Sequence, residues 1–515
     1  MNWSKHQTFI LLGFILVKFI LQYNLISPVY DLQRDEFLHL DQAHHLAWGY
    51  LSVPPVTSWI SLLILWLGNT VFWVKFFPAL FGALTIVVVW KAIEELGGNL
   101  FALILGATCI LFSVLLRLNT LYQPNSLDVL CWTSLYYFLI RYFKTVDNRW
   151  LYVCALVFSV GLLNKYNIVF ALIGLLPAIL ISKQRTIFQN KHLYIAILLG
   201  VILVLPNLLW QYNNNFPVIH HLNDLAATQL VNNNIFNFLK SQLLFYAGCI
   251  FVIYVGLYAL LAYPQFEKYK SLFWSIFITL FVFIFLRAKD YYAIGVFPIY
   301  ISFGSVFLGE YLKVGWKKYL KPVLLILPFL YFMFLFNIAF PNKSPESIIE
   351  NPSLYKKLGL LRWEDGRDHH IPQDFADMVG WKQLALKVDS IFSRLPNPDQ
   401  TLVLCDNYGQ AGAINYYKKD KNLLASSFNA DYINWLDLGT PIVDVILVKE
   451  PDDDDKMRTT EIPLFDTVYL AGQRIHTFAR EDTISIYVLQ GAKVNINERI
   501  RGEAVRRKRR ITNLR

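Results

Sequence analysis

Residues 320–352 read LKPVLLILPFLYFMFLFNIAFPNKSPESIIENP, and this stretch divides the chain. From Pro322 to Phe340 it carries no charge. As a helix that run is long enough to cross about 30 Å of hydrocarbon. From Pro341 onward it mixes charge, proline and serine, as a soluble protein does. Working back toward the N-terminus, apolar runs of similar length recur at 8–27, 70–91, 100–116, 127–143, 150–163, 168–181, 193–210, 238–262, 272–286 and 290–309. The run 56–67 is too short to cross and reads as a re-entrant or interfacial segment. The first run has no small-residue cleavage site behind it and reads as a retained span. The fold expected is therefore a polytopic α-helical membrane protein of about 11 spans, with a soluble α/β domain at its C-terminal end. The units are 1–340 in the membrane, 341–497 as the α/β domain, and a basic tail at 498–515.

The composition agrees with this division. Of 515 residues, 55% are hydrophobic and 16% charged, and the mean hydropathy is +0.40; soluble domains carry about 25% charged residues. The net charge of +10 does not signal nucleic acid. Much of it sits in short interhelical loops and in the tail, which holds Arg499, Arg501, Arg506, Arg507, Lys508, Arg509, Arg510 and Arg515. That tail reads as a solvated, disordered end or as an arm on anionic headgroups. Cys109, Cys131, Cys154 and Cys249 fall inside apolar runs and Cys405 in the soluble part, so no disulfide framework or CxxC metal site is available.

Orientation follows from the positive charges. One set of loops carries Lys5, Lys91, Arg141, Lys144, Arg149, the basic residues of 183–191 and 268–270, and those of 313–321. The other carries Arg34, Arg117, Lys165, Arg287 and Lys289. The richer set is assigned to the cytoplasm, which puts the soluble domain outside. The chain is then a multi-pass protein of the inner (plasma) membrane with an extracytoplasmic C-terminal domain.

The outer loops hold the residues with chemistry. The first, 30–55, reads YDLQRDEFLHLDQAHHLAWGYLSVPP, with Asp35 and Glu36 adjacent and His39, His44 and His45 behind them. Its apolar residues Phe37, Leu40, Ala43 and Leu46 share one helical face, which is expected to lie along the membrane surface. Further loops bring Asp128 in QPNSLD, Lys165 in NKYN, His220 and His221, and Arg287, Lys289, Tyr291 and Tyr292 in RAKDYY. Ionisable groups at a membrane mouth are costly and point to function. A carboxylate can take a proton from a hydroxyl; Lys and Arg can hold a phosphate. Each motif alone has an ordinary reading: DE as a solvated turn, RAKD as a charged loop end. HLDQAHH matches no strong ligand pattern, and a divalent metal there stays open. Together they leave three classes: an enzyme acting on a lipid phosphate, a transporter, or a lipid-binding scaffold without catalysis. No internal repeat of the kind many transporters carry is visible.

The ordered set RDE, VPP, QPNSLD, NKY, LPNLLWQY and AKDYYAIGVFP resembles the bacterial GT-C membrane glycosyltransferases related to protein O-mannosyltransferases and to the lipid A aminoarabinose transferase. The resemblance covers nearly the whole chain. It implies an inverting transfer of a sugar, hexosyl or pentosyl, from a polyprenyl-phosphate donor to a hydroxyl of an envelope acceptor: lipid, glycan or protein. It implies membrane lipids as surroundings and no nucleic-acid partner. Asp35, alone or with Glu36, would be the base, and Asp128 the second acidic position. Lys165, Arg287, Lys289, Tyr291, Tyr292, His220 and His221 would contact substrate or phosphate. Where the aminoarabinose transferases have an acidic-basic pair before the proline matched by Pro54, this chain has Ser52 and Val53, so a metal ligand and a phosphate contact are missing. In the soluble part, TLVLCDN, VDVILVKE and ISIYVLQG read as strands and YGQAGAINYYKK as a helix whose Gly409 and Gly412 could seat an anion. The run 451–456, PDDDDK, reads as an acidic loop.

Overall fold

The computed structural model describes residues 5–513, and of 232 and 510–513 the backbone alone. The part before Pro341 is helical throughout. Five of its helices are long and apolar enough to cross a membrane, or up to eight if each bent pair is one span; three shorter apolar helices, Val56–Trp66, Leu100–Leu111 and Arg149–Asn164, accompany them. Each run read as a span contains a helix or a helix pair, but not all are straight. The run 238–262 breaks into Ile235–Phe245 and Ile250–Ala262 at an angle of 96°. At that corner a Cβ on Gly248 would lie 2.8 Å from the Tyr331 side chain and 2.9 Å from the Pro328 backbone, so the bend is set by close packing on the last long helix. Val56–Trp66 stops at Gly68 and Asn69, both with positive φ. Its eleven residues reach only about 16 Å.

The loops fall into two groups in space. Glu95 pairs with Arg141 and Lys144 at 3.2 and 2.9 Å, and Lys183 with Glu267 at 2.6 Å; these belong to the set richer in positive charge. The loops of the other set meet one another and the C-terminal domain.

That domain is built on a five-stranded sheet: β1 (Thr401–Cys405), β2 (Ala425–Ser427), β3 (Asp444–Lys449), β4 (Phe465–Ile475) and β5 (Thr483–Ala492), in the order β2-β1-β3-β5-β4. The first three are parallel, and β5 pairs antiparallel with β3 and β4. On one face lie the helices Trp381–Phe392 and Tyr408–Tyr417. On the other, Ile496 and Ile500 of the helix Ile496–Asn513 pack on Leu402, Val445 and Leu489. The basic tail is therefore not a disordered end: from Ile496 it continues the domain as a helix with an apolar stripe. Arg515 lies outside the described residues.

The face carrying Phe37, Leu40 and Ala43 is not laid on the membrane surface as its spacing suggested. It is buried under the C-terminal domain. Phe37 packs against Trp381, Tyr416 and Tyr417 with ring centroids 5.7–6.2 Å apart, and one apolar cluster runs from Phe37, Leu40, Ile64 and Val74 into Val403, Ile446 and Ile486 of the sheet. Leu46 alone of the four stays exposed. Gly412 has its reason here: a Cβ would sit 2.7 Å from that of Phe37. The glycines of YGQAGA serve this helix contact, with Gly409 against Arg34, and do not form an anion seat.

Candidate active site at the junction of helices and sheet

The motif RDE opens the helix Arg34–Asp41, and its two carboxylates have different fates. Gln33 caps the helix: its side chain accepts from the Asp35 amide at 2.8 Å, and Glu36 reaches back to the Gln33 amide at 2.7 Å, a capping box. Glu36 also accepts from the Tyr122 amide at 2.6 Å and from the Lys75 ammonium at 2.6 and 2.8 Å. It has no exposed surface. All its acceptor capacity is used, and these bonds tie Glu36 into the scaffold. Asp35 is only half-buried. Its Oδ1 accepts from the Tyr408 hydroxyl at 2.6 Å and its Oδ2 from the Gln123 side chain at 3.1 Å.

From Asp35 a chain of side-chain hydrogen bonds leads to a cation. Gln123 accepts from Asn125 at 2.9 Å, and Asn125 accepts from Lys165 Nζ at 2.6 Å. The motifs QPNSLD and NKYN interlock to build it. Asn164 donates to the Pro124 carbonyl at 2.8 Å; Asn167 donates to Asp128 Oδ2 at 2.9 Å and to the Tyr292 carbonyl at 3.0 Å. Trp132 donates to Asp128 Oδ1 at 3.2 Å. Asp128 is buried and both its oxygens are engaged, so it organises the loop that carries Lys165. The Lys165 ammonium lies 4.4 Å from the Tyr292 ring centre and 5.1 Å from that of Tyr291. Burial pulls it down to about 8; Asp128 opposes this and the nearby Lys289 charge adds to it.

Lys289 is the second cation. Its ammonium lies 6.0 Å from the Tyr291 ring centre and 2.7 Å from Glu364, a residue of the C-terminal domain. Glu364 is steadied by Gln373 at 3.1 Å. Burial would raise this carboxyl, but Lys289 and Gln373 outweigh it and hold it below its usual range. The Tyr291 hydroxyl lies within electrostatic reach of both Asp35 and Glu364. Asp35, Lys165, Lys289, Tyr291 and Tyr292 are thus brought together. His221 is close enough to feel Lys289; burial and that charge pull it down, against Asp224. His220 keeps its Nδ1 buried without a hydrogen-bond partner. Arg287 is exposed, in left-handed backbone, and its carbonyl accepts from the Asn233 side chain.

Two histidines of the first outer loop are engaged in packing. His39 is buried with its ring edge-on to Tyr122, and His45 stacks flat on Trp435 at 4.4 Å. Among the described residues no three His, Cys, Asp or Glu side chains converge. Four residues of this hydrogen-bonded group escaped the motif reading. Gln123 and Asn125 lay inside a quoted motif and were passed over for its aspartate. Glu364 lay in the polar stretch RWEDGRDHH, which reads more readily as a surface turn, and Tyr408 in a stretch read for its glycines; nothing local ties Tyr408 to Asp35, 373 residues away.

Residues 52–210 match the family described as dolichyl-phosphate-mannose-protein mannosyltransferase. Over 374 residues the chain is 23% identical to the lipid A galacturonosyltransferase RgtD of Rhizobium johnstonii, covering 70% of this chain and 76% of that one. It superposes on ArnT from Cupriavidus metallidurans bound to undecaprenyl phosphate with a TM-score of 0.59 at 13% identity, covering 93% of this chain and 97% of that one. The apo state of the same ArnT gives 0.59 over 94% and 98%. The fold is the GT-C fold. Among the three classes left open by the sequence, the match over residues 52–210 and the similarity to RgtD support the enzyme, a glycosyltransferase.

Proposed function

We propose that the protein transfers a sugar from a polyprenyl-phosphate donor to a hydroxyl of an envelope lipid, with inversion, at the outer face of the inner membrane. One observation carries this reading: the hydrogen-bonded line from a half-buried carboxylate, Asp35, to a half-buried ammonium, Lys165, with a second ammonium, Lys289, alongside. A carboxylate and two lysines at one membrane mouth suit a hydroxyl acceptor on one side and a phosphate leaving group on the other. The lipid acceptor is favoured over glycan or protein by the similarity to RgtD, whose name gives lipid A as its acceptor.

The acceptor oxygen attacks the anomeric carbon from the face opposite the phosphate. Its proton passes to Asp35. The bond from the anomeric carbon to the phosphate oxygen breaks, and the electron pair leaves with the polyprenyl phosphate. Lys165 and Lys289 stabilise that growing charge from fixed positions. Before the donor arrives, Glu364 neutralises Lys289; the donor phosphate takes its place. Asp128 acts one step back, through Asn167 and Lys165. The separation of the two loop sets, with the set richer in positive charge away from the sheet domain, supports a sheet domain on the outer side.

Mass spectrometry of lipid extracts from cells with and without the gene tests the reading. A polyprenyl-phosphate sugar that accumulates in the deletion, together with an envelope lipid lacking that sugar, is expected. Unchanged extracts from cells in which the protein is otherwise made would contradict it.

A further inference from the structure

The group nearest the proposed base comes from the sheet domain. Tyr408 opens the helix Tyr408–Tyr417, directly after β1 and the capping residue Asn407. Its hydroxyl donates to Asp35 Oδ1 at 2.6 Å, a short bond to an ionised acceptor. Its ring lies 4.5 Å from the Arg34 guanidinium. Asn407, which accepts from the Gln410 amide at 3.0 Å, also donates to Glu481 at 2.7 Å, and Gln410 donates to the other Glu481 oxygen at 2.9 Å. This buried network fixes where the helix starts and so where the Tyr408 hydroxyl lies. Asp35 is clamped from two sides, by Tyr408 from the sheet domain and by Gln123 from the membrane part. An ionised carboxylate accepts about four hydrogen bonds, so capacity remains for an incoming hydroxyl. The clamp sits at the seam between the two parts.

We infer that Tyr408 is a positioning residue for the transfer: its hydroxyl aims the Asp35 carboxylate at the acceptor hydroxyl, so that the sheet domain completes the active site. The inference rests on Asp35 as the base. A tyrosine serving only to pack would not need its hydroxyl on that carboxylate. Tyr416, on the same helix, supplies the comparison, because its hydroxyl donates to a backbone carbonyl, that of Asn69, at 2.9 Å.

The test compares Tyr408→Phe, Tyr416→Phe and Asp35→Asn in the full-length protein in lipid nanodiscs, reading kcat, KM for donor, binding of undecaprenyl phosphate and thermal stability. Loss of a hydrogen bond to a charged group predicts kcat lower by roughly ten- to a hundredfold in Tyr408→Phe. KM for donor, undecaprenyl phosphate binding and melting temperature should hold, and Tyr416→Phe should keep its kcat within about twofold on the same argument. A Tyr408→Phe enzyme with full kcat, while Asp35→Asn is dead, overturns the role of Tyr408 and leaves the base in place. Equal losses in the two tyrosine variants, or a loss that tracks melting temperature, also overturn it by showing packing alone. Transfer in Asp35→Asn removes the base itself and the inference with it.

Discussion

Two adjacent carboxylates, Asp35 and Glu36, differ in everything but sequence position. Glu36 is buried with the Lys75 ammonium and two backbone amides on it. Removing one partner of such a pair leaves the other charged and uncompensated, at about 3–5 kcal/mol. Glu36→Gln is therefore expected to lower the melting temperature sharply in a thermal scan; an unshifted melt would mean that the pair is not structural. Lys165 adds a pH dependence. Held down to about 8 by burial, it carries its charge below that pH and loses it above. Affinity for polyprenyl phosphate should then fall as pH rises, by roughly tenfold between pH 7 and 9. Lys165→Arg, charged throughout, should remove the fall; its persistence in that variant would assign it to another group. At this scale the sequence was informative about residue type and less so about role. The pair DE was visible, but which member is free depends on Lys75 and Tyr122, distant in sequence from both.

Among the elements, the loop around Glu364 and the helix Tyr408–Tyr417 reach from the sheet domain to Lys289 and Asp35. In the proposed transfer Glu364 competes with the donor phosphate for Lys289. Because the pair is partly exposed, with Glu364 42% and Lys289 16% accessible, its worth is modest, up to about 1 kcal/mol. Glu364→Gln should tighten undecaprenyl phosphate binding by roughly two- to fivefold, measured by titration in nanodiscs. Weaker binding would make Glu364 a support for the site instead of a competitor. Strands β1, β3 and β5 and the helix after β1 were legible from apolar runs bounded by turn residues. The short β2 was not, nor was β4, whose outer edge position leaves it largely exposed and without an apolar run. The corner inside 238–262 was hidden because its cause is the remote contact of Gly248 with the Pro328–Tyr331 turn.

For the whole molecule, the boundary at Pro341 marks a change of solvent but not a break in the core. Phe37, Leu40, Ile64 and Val74 from one side of it and Trp381, Ala413 and Ile446 from the other form one apolar cluster. A chain ending at Phe340 would uncover that cluster and strip Asp35 of Tyr408. It should aggregate in size-exclusion chromatography, whereas a monodisperse, polyprenyl-phosphate-binding fragment would show the parts to be independent. The sequence told membrane from soluble through hydropathy, and it gathered the candidate residues on one side through charge. It could not show that the surface helix Arg34–Asp41 faces protein and not lipid, because an apolar stripe looks the same to either. The central claim is that Asp35 is the base of a sugar transfer supported by Lys165 and Lys289. The most direct measurement is transfer by purified Asp35→Asn beside wild type, with undecaprenyl phosphate binding recorded on the same samples. The account predicts wild-type binding and a loss of transfer of roughly a hundredfold or more; transfer at the wild-type rate in a variant that binds normally would contradict it.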